Sequence, residues 1–175
     1  MYAQVLIMQN EALFTYTSGE WETQSDLFEL LNYEFHFTLD PACTEKNKKC
    51  NKYFTKEKDG LSQDWGNEIV FLNPPYGRGV DKWIEKSYNE SVFNGATTVC
   101  LLPSRTDVSW WHKYVRMAYE IRFLKGRLKF GHNTHSANNS ATFPSAIIVF
   151  KRGRGDFPIV KFWDWKKDYK ELLDK

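Results

Sequence analysis

The sequence predicts an α/β fold, a parallel sheet with helices on both faces. Three observations carry that expectation. Two continuous apolar runs, Ile69-Val70-Phe71-Leu72 and Thr97 to Leu102, each stop at a proline turn, as strands buried on both faces do. Between them, Val80 to Val92 has helical spacing through Val80, Trp83, Ile84, Ser87, Tyr88 and Ser91. Strand, crossover helix and strand then recur, which is the pattern of a parallel layered sheet.

Taken in order, residues 1 to 18 read as a leader, and Ser18-Gly19-Glu20-Trp21 opens a single folded domain over 19–175. Ser25 is a candidate N-cap for a helix with Leu27, Phe28, Leu30 and Leu31 on one face. Phe35 to Leu39 alternates apolar with polar and stops at Asp40-Pro41, which predicts a strand whose end delivers a carboxylate. A charged, irregular segment follows to Lys58. After the two buried strands, Trp110 to Met117 reads as a helix, and Glu120 to Phe123 and Ser145 to Phe150 as strands.

At 175 residues the chain is sized for one core, with no room for a second catalytic or recognition domain, so target choice falls to short loops. Its 42% hydrophobic and 26% charged content is that of a globular protein rather than a disordered or fibrous one. Met1 to Met8 is apolar but far shorter than a bilayer crossing requires, so no membrane partner is expected. Cys43, Cys50 and Cys100 are odd in number and lack Cys-x-x-Cys spacing, which points away from a disulfide framework or zinc site and towards a reducing, intracellular setting. His36, His112, His132 and His135 show no ligand spacing, so no metal is expected.

A net charge of only +2 does not by itself announce a nucleic-acid partner, but the cations cluster: Lys46, Lys48, Lys49 and Lys52; Arg122, Lys125, Arg127 and Lys129; Lys151, Arg152 and Arg154. Aromatics reach 17% with seven Trp, enough to furnish a stacking surface as well as a core.

The chemistry concentrates in Asn73-Pro74-Pro75-Tyr76, directly after the first apolar strand. Two prolines fix φ and remove two donors, so the turn is stiff and presents acceptors. Asn73 adds a side-chain carbonyl and Tyr76 a flat ring, which together suit the amino edge of a nucleobase held against a methyl donor. The alternative for the same residues is an ordinary Pro-Pro turn continued by Gly77 and Gly79.

Several segments in order carry a resemblance. They are Glu20-Trp21-Glu22-Thr23-Gln24 with Leu27-Phe28; Phe37-Thr38-Leu39-Asp40-Pro41-Ala42-Cys43; and Asp59-Gly60-Leu61 through Asn73-Pro74-Pro75-Tyr76-Gly77. Leu102-Pro103-Ser104-Arg105-Thr106-Asp107, Gly126-Arg127-Leu128-Lys129-Phe130 and Phe143-Pro144-Ser145 follow. From about Gly19 to Phe150 the chain resembles the phage and prophage DNA N6-adenine methyltransferase family, often called phage Dam-like. The resemblance implies a class I, Rossmann-like methyltransferase fold, S-adenosyl-L-methionine (SAM) as donor, double-stranded DNA as partner, and residence in a bacterial host's cytoplasm if the gene is phage or prophage borne. One departure is plain: after Cys43 stands Thr44-Glu45-Lys46-Asn47, where methyltransferases commonly carry Gly-x-Gly.

Under that resemblance Asn73 and the Pro74 carbonyl accept the protons of the target amine, Pro75 stiffens the turn, and Tyr76 stacks on the extruded base; a core aromatic is the alternative for Tyr76. Asp40 is expected at the donor's methionine end or its water shell, with Trp21 and Thr23 lining the same pocket and Pro41, Ala42 and Cys43 leaving the approach open. Asp59 is expected at the donor's adenine amino group with Leu61 beside the ring, and a helix N-cap is the alternative for Asp59. Glu45 and Asn47 are candidates for the ribose hydroxyls. Arg105, Arg127 and Lys129 are the expected phosphate contacts, and Asn133, Asn138 and Asn139 candidate readers of base edges, an ordinary hairpin being the alternative. Methylation of another planar nitrogen (cytosine N4, an RNA base or a protein glutamine) and a silent nucleic-acid-binding module are the competing functions.

Overall fold

The computed structural model describes residues 23–129, 141–153 and 155–175. Seven strands are described: β1 (Leu39–Asp40), β2 (Lys52–Tyr53), β3 (Ile69–Leu72), β4 (Thr97–Pro103), β5 (Glu120–Leu124), β6 (Ser145–Phe150) and β7 (Ile159–Trp163). They form one sheet in the order β2-β1-β3-β4-β6-β5-β7. Four α-helices accompany them: α1 (Ser25–Phe35), α2 (Val80–Asn89), α3 (Ser109–Lys113) and α4 (Trp165–Leu173).

The helices take both faces, and strand alternation decides which. Phe71 of β3 meets Phe28 of α1 edge-on at 5.0 Å, and α4 joins α1 through a Tyr169 hydroxyl bond to Glu29 of 2.7 Å. The opposite face of the neighbouring strand carries Thr98 and Cys100, which meet Ser91 beyond α2 at 3.1 Å and Ser87 at 3.6 Å. Below α2, Tyr114 packs on Tyr88, and Trp111 of α3 stacks on Phe123. Val99 to Leu102 and Ala146 to Phe150 are all buried, which is why both strands read as unbroken apolar runs.

The sheet is not wholly parallel. β2, β1, β3 and β4 run together and β5 runs with β7, but β6 is antiparallel to both β4 and β5. After β5, Ala141 donates back to the Leu128 carbonyl at 2.8 Å, so the chain returns on itself rather than crossing over, and a return of that kind reverses the strand.

Local boundaries also differ from expectation. Gln24 rather than Ser25 holds the N-cap position, and it makes no side-chain cap bond. The helix continues to Phe35 and closes on His36 in the left-handed region (φ 56°), so the strand expected over Phe35–Leu39 shrinks to Leu39–Asp40. The misleading alternation has a physical source: Phe35 is the last apolar residue of the helix, and it stacks on Phe37 in the following loop. β2, β7 and α4 have no counterpart among the sequence expectations.

Candidate active site

β1 and β3 are adjacent and parallel, so Asp40 and Asn73 leave the same edge of the sheet side by side. A cavity of about 400 Å³ opens there, within the range of small-molecule sites. Of the sequence-predicted donor residues, Thr23, Asp40, Pro41, Ala42, Cys43, Asp59 and Asn73 line it. Trp21 lies outside the described residues, as does the leader. The structure does not bring Leu61 to the wall; Phe71 and Trp83 supply the apolar surface instead.

Asp40 is 3% exposed, and the loop after β1 is wound around its carboxylate. Oδ1 accepts the Ala42 N–H at 3.4 Å and Oδ2 the Lys49 N–H at 3.0 Å. Burial lifts this carboxyl from 3.8 to about 6, the two backbone bonds opposing the rise. In place of Gly-x-Gly, Thr44 to Asn47 forms a self-capped turn: Asn47 Oδ1 accepts from the Thr44 N–H at 2.6 Å and from its hydroxyl at 3.0 Å. Asn47 remains on the wall, whereas Glu45 turns away to Lys48 and to the Tyr53 hydroxyl. Burial pushes both the Cys43 and Cys50 thiols up to about 12, so neither is nucleophilic at neutral pH.

The close backbone approach comes from a different glycine. A Cβ on Gly60 would sit 2.1 Å from the Pro41 carbonyl oxygen, so only glycine lets the 55–60 loop lie against the Asp-Pro loop. The Gly60 carbonyl accepts from Trp65 Nε1 at 2.9 Å, and Trp65 stacks on Trp83. Asp59 enters this loop at φ 47°, with Oδ1 accepting the Leu61 N–H at 3.3 Å, so its carboxylate shapes the turn as well as facing the cavity. Gly60, Lys49, Lys56 and Trp83 are wall residues that the sequence reading misses; the Gly in Asp59-Gly60-Leu61 was the available signal.

At the end of β3, Asn73 donates from Nδ2 to Thr23 Oγ1 at 3.0 Å. Pro75 is exposed on the wall and Pro74 is buried behind it. Tyr76 is only 4% exposed: its hydroxyl donates to the Leu101 carbonyl at 3.0 Å and its ring meets Phe143 edge-on at 5.7 Å. Burial raises its phenol well above the ordinary range.

Arg105, Arg127 and Lys129 are exposed. The Ser104 N–H donates to the Pro144 carbonyl at 2.8 Å, and the Lys129 N–H to Gln24 Oε1 at 3.1 Å, next in sequence to the cavity residue Thr23. Asn133, Asn138 and Asn139 lie outside the described residues. Arg122 does not belong to a basic surface: it is buried, paired with Glu34 and Glu120, and sandwiched by Phe35 and Trp163. Among the described residues no cluster of three metal-ligating side chains occurs, and no helix is long and apolar enough to cross a membrane.

A mixed α/β sheet with one reversed strand, whose cleft joins an Asp-Pro loop to an Asn-Pro-Pro-Tyr turn at adjacent strand ends, defines a Rossmann-like methyltransferase fold. The chain belongs to the DNA N-6-adenine-methyltransferase (Dam) family, whose match covers residues 13–171. It is 31% identical over 110 residues to a DNA N-6-adenine-methyltransferase of Escherichia phage T1, spanning 62% of this chain and 45% of that protein. It is 27% identical over 135 residues to one of Haemophilus phage HP1, spanning 75% of this chain and 78% of that protein. The chain thus spans less than half the length of the phage T1 relative.

Proposed function

We propose that this protein transfers a methyl group from SAM to the exocyclic N6 amine of adenine in double-stranded DNA, in the host cytoplasm. The observation that carries this reading is the shared cavity: the buried carboxylate of Asp40 and the amide of Asn73 line one cavity of about 400 Å³. The residues fit the donor. Asp40 would hold the methionine end, and the close Gly60 contact with Pro41 fixes against each other the two loops that wall the cavity. Phe71 and Trp83 would pack on the adenosine, with Asp59 at its amino group. When bound, SAM supplies an electrophilic methyl on a sulfonium.

This chain's own residues then orient the acceptor. The Asn73 side-chain oxygen would accept a hydrogen bond from one amine N–H and the Pro74 carbonyl from the other, steering the nitrogen lone pair into the cleft, so positioning supplies much of the rate. Tyr76 backs the turn from within the fold, and stacking on the extruded base would require its ring to leave the Phe143 contact. Arg105, Arg127 and Lys129 hold phosphates.

Tritiated methyl transfer from SAM to DNA, RNA and protein, run side by side, tests the proposal. Label on the N6 position of adenine in duplex DNA is expected. Label confined to RNA, protein or cytosine, or no transfer at all, overturns it.

A further inference from the structure

Thr23 and Asn73 are 50 residues apart in sequence and joined by a 3.0 Å hydrogen bond at the cleft. We propose that Thr23 is a positioning residue that sets which end of the Asn73 amide faces the substrate. This rests on the role given to Asn73 above. An asparagine amide has an acceptor at one end and a donor at the other in nearly the same shape, so the residue works only in one of two orientations. A target amine needs the acceptor; the flipped amide sets NH2 against NH2.

A hydroxyl can donate as well as accept, so the Thr23 bond alone tolerates either orientation. An amine in the cleft removes that freedom. Only with Nδ2 on Thr23 are both contacts made at once, and this is the arrangement the structure shows. Thr23 is suited to the task because it is buried and the residue after it is anchored. It is 4% exposed, and the next residue, Gln24, accepts the Phe28 N–H at the head of α1 and the Lys129 N–H through its side chain, both at 3.1 Å. Its hydroxyl thus meets Asn73 from a buried position next to the anchored head of α1.

The test compares Thr23→Val, which keeps the shape and loses the acceptor, with Thr23→Ser, which keeps it. SAM affinity by calorimetry and kcat on a duplex methylated by the wild type are the readouts. Thr23→Val should lower kcat by about tenfold to a hundredfold with donor affinity within about threefold, and Thr23→Ser should recover most of the loss. Asn73→Asp presents an acceptor at either end, so in that background Thr23→Val should cost no more than about threefold. Should Thr23→Val fail to fold, Thr23→Ala takes its place in the same comparison. Equal losses of kcat and donor affinity, no rescue by Ser, or an undiminished cost beside Asn73→Asp would make Thr23 only a wall residue. A wild-type protein that methylates no DNA would instead sink the function of the site as a whole, leaving these outcomes distinguishable.

Discussion

Asp40 sets folding against binding within one side chain. Its carboxyl holds a proton up to about 6 in the folded protein against 3.8 ordinarily, because burial outweighs two backbone N–H bonds. Between those values the folded state binds more protons than the unfolded chain, so stability is fullest below the lower one and falls as pH rises through the upper. The rise corresponds to about 3 kcal/mol lost by neutral pH. Asp40→Asn should flatten stability between pH 4 and 7 in denaturant titrations while weakening SAM binding; a variant that keeps the wild-type slope would assign the pH dependence elsewhere. Asn73→Ala should lower methyl transfer by about a hundredfold or more with donor binding largely intact, since the lost acceptor orients the amine rather than the donor. Near-normal turnover would reduce the tetrapeptide to a turn. Tyr76 divides by its two substitutions. Tyr76→Phe keeps the ring but strands the buried Leu101 carbonyl, costing about 1 to 2 kcal/mol in stability with activity mostly kept. Tyr76→Ala opens a cavity costing about 3 to 5 kcal/mol and should lose activity as well. Equal activity losses in the two, measured below both melting points, would point to the hydroxyl instead.

Between elements, the site depends on how closely two loops lie. Gly60→Ala places a methyl against the Pro41 carbonyl oxygen, and backbone must move to admit it. A cost of about 1 to 3 kcal/mol is expected, with a matching fall in SAM affinity, because the displaced loops are two walls of the cavity. Unchanged Tm and affinity would show the contact to be yielding. This dependence also explains what was legible in the sequence. β3, β4 and β6 were readable because both faces of each are buried, and α2 because Ile84 and Ser87 repeat at helical spacing towards the sheet. β7 was not, since Ile159, Val160 and Phe162 are exposed and no buried face imposes a period. The direction of β6 is written in its connection rather than in its own residues. In the site, Asp40 and Asn73 stand out as polar residues at predicted strand ends, but Gly60, Lys49 and Trp83 acquire their place only when segments distant in sequence meet.

At the scale of the molecule, a net charge of +2 conceals an uneven distribution. Many cations are committed to local partners: Lys48 to Glu45, Lys52 to Glu68, Lys86 to Glu90, Lys125 to Asp164 and Lys161 to Glu120. Arg122 is held inside the fold by two carboxylates and two aromatic rings, where it has structural work and no access to a phosphate. Arg127 and Lys129 differ from Arg122 in being exposed, on a segment tied to Gln24, one residue from the cavity-lining Thr23. A phosphate contact releases counterions, so its loss shows in the salt dependence of DNA binding rather than in donor affinity. Arg127→Ala and Lys129→Ala should each lower the slope of log K against log salt by about one, with SAM affinity unchanged. Arg122→Leu provides the contrast: leaving Glu120 buried without its main cation should cost about 3 to 5 kcal/mol in stability while the slope stays at the wild-type value in whatever protein remains folded. If both surface variants keep the wild-type slope, the DNA path must run elsewhere on the molecule, and the cluster from Lys46 to Lys52, whose Lys49 lines the cavity, becomes the next segment to substitute.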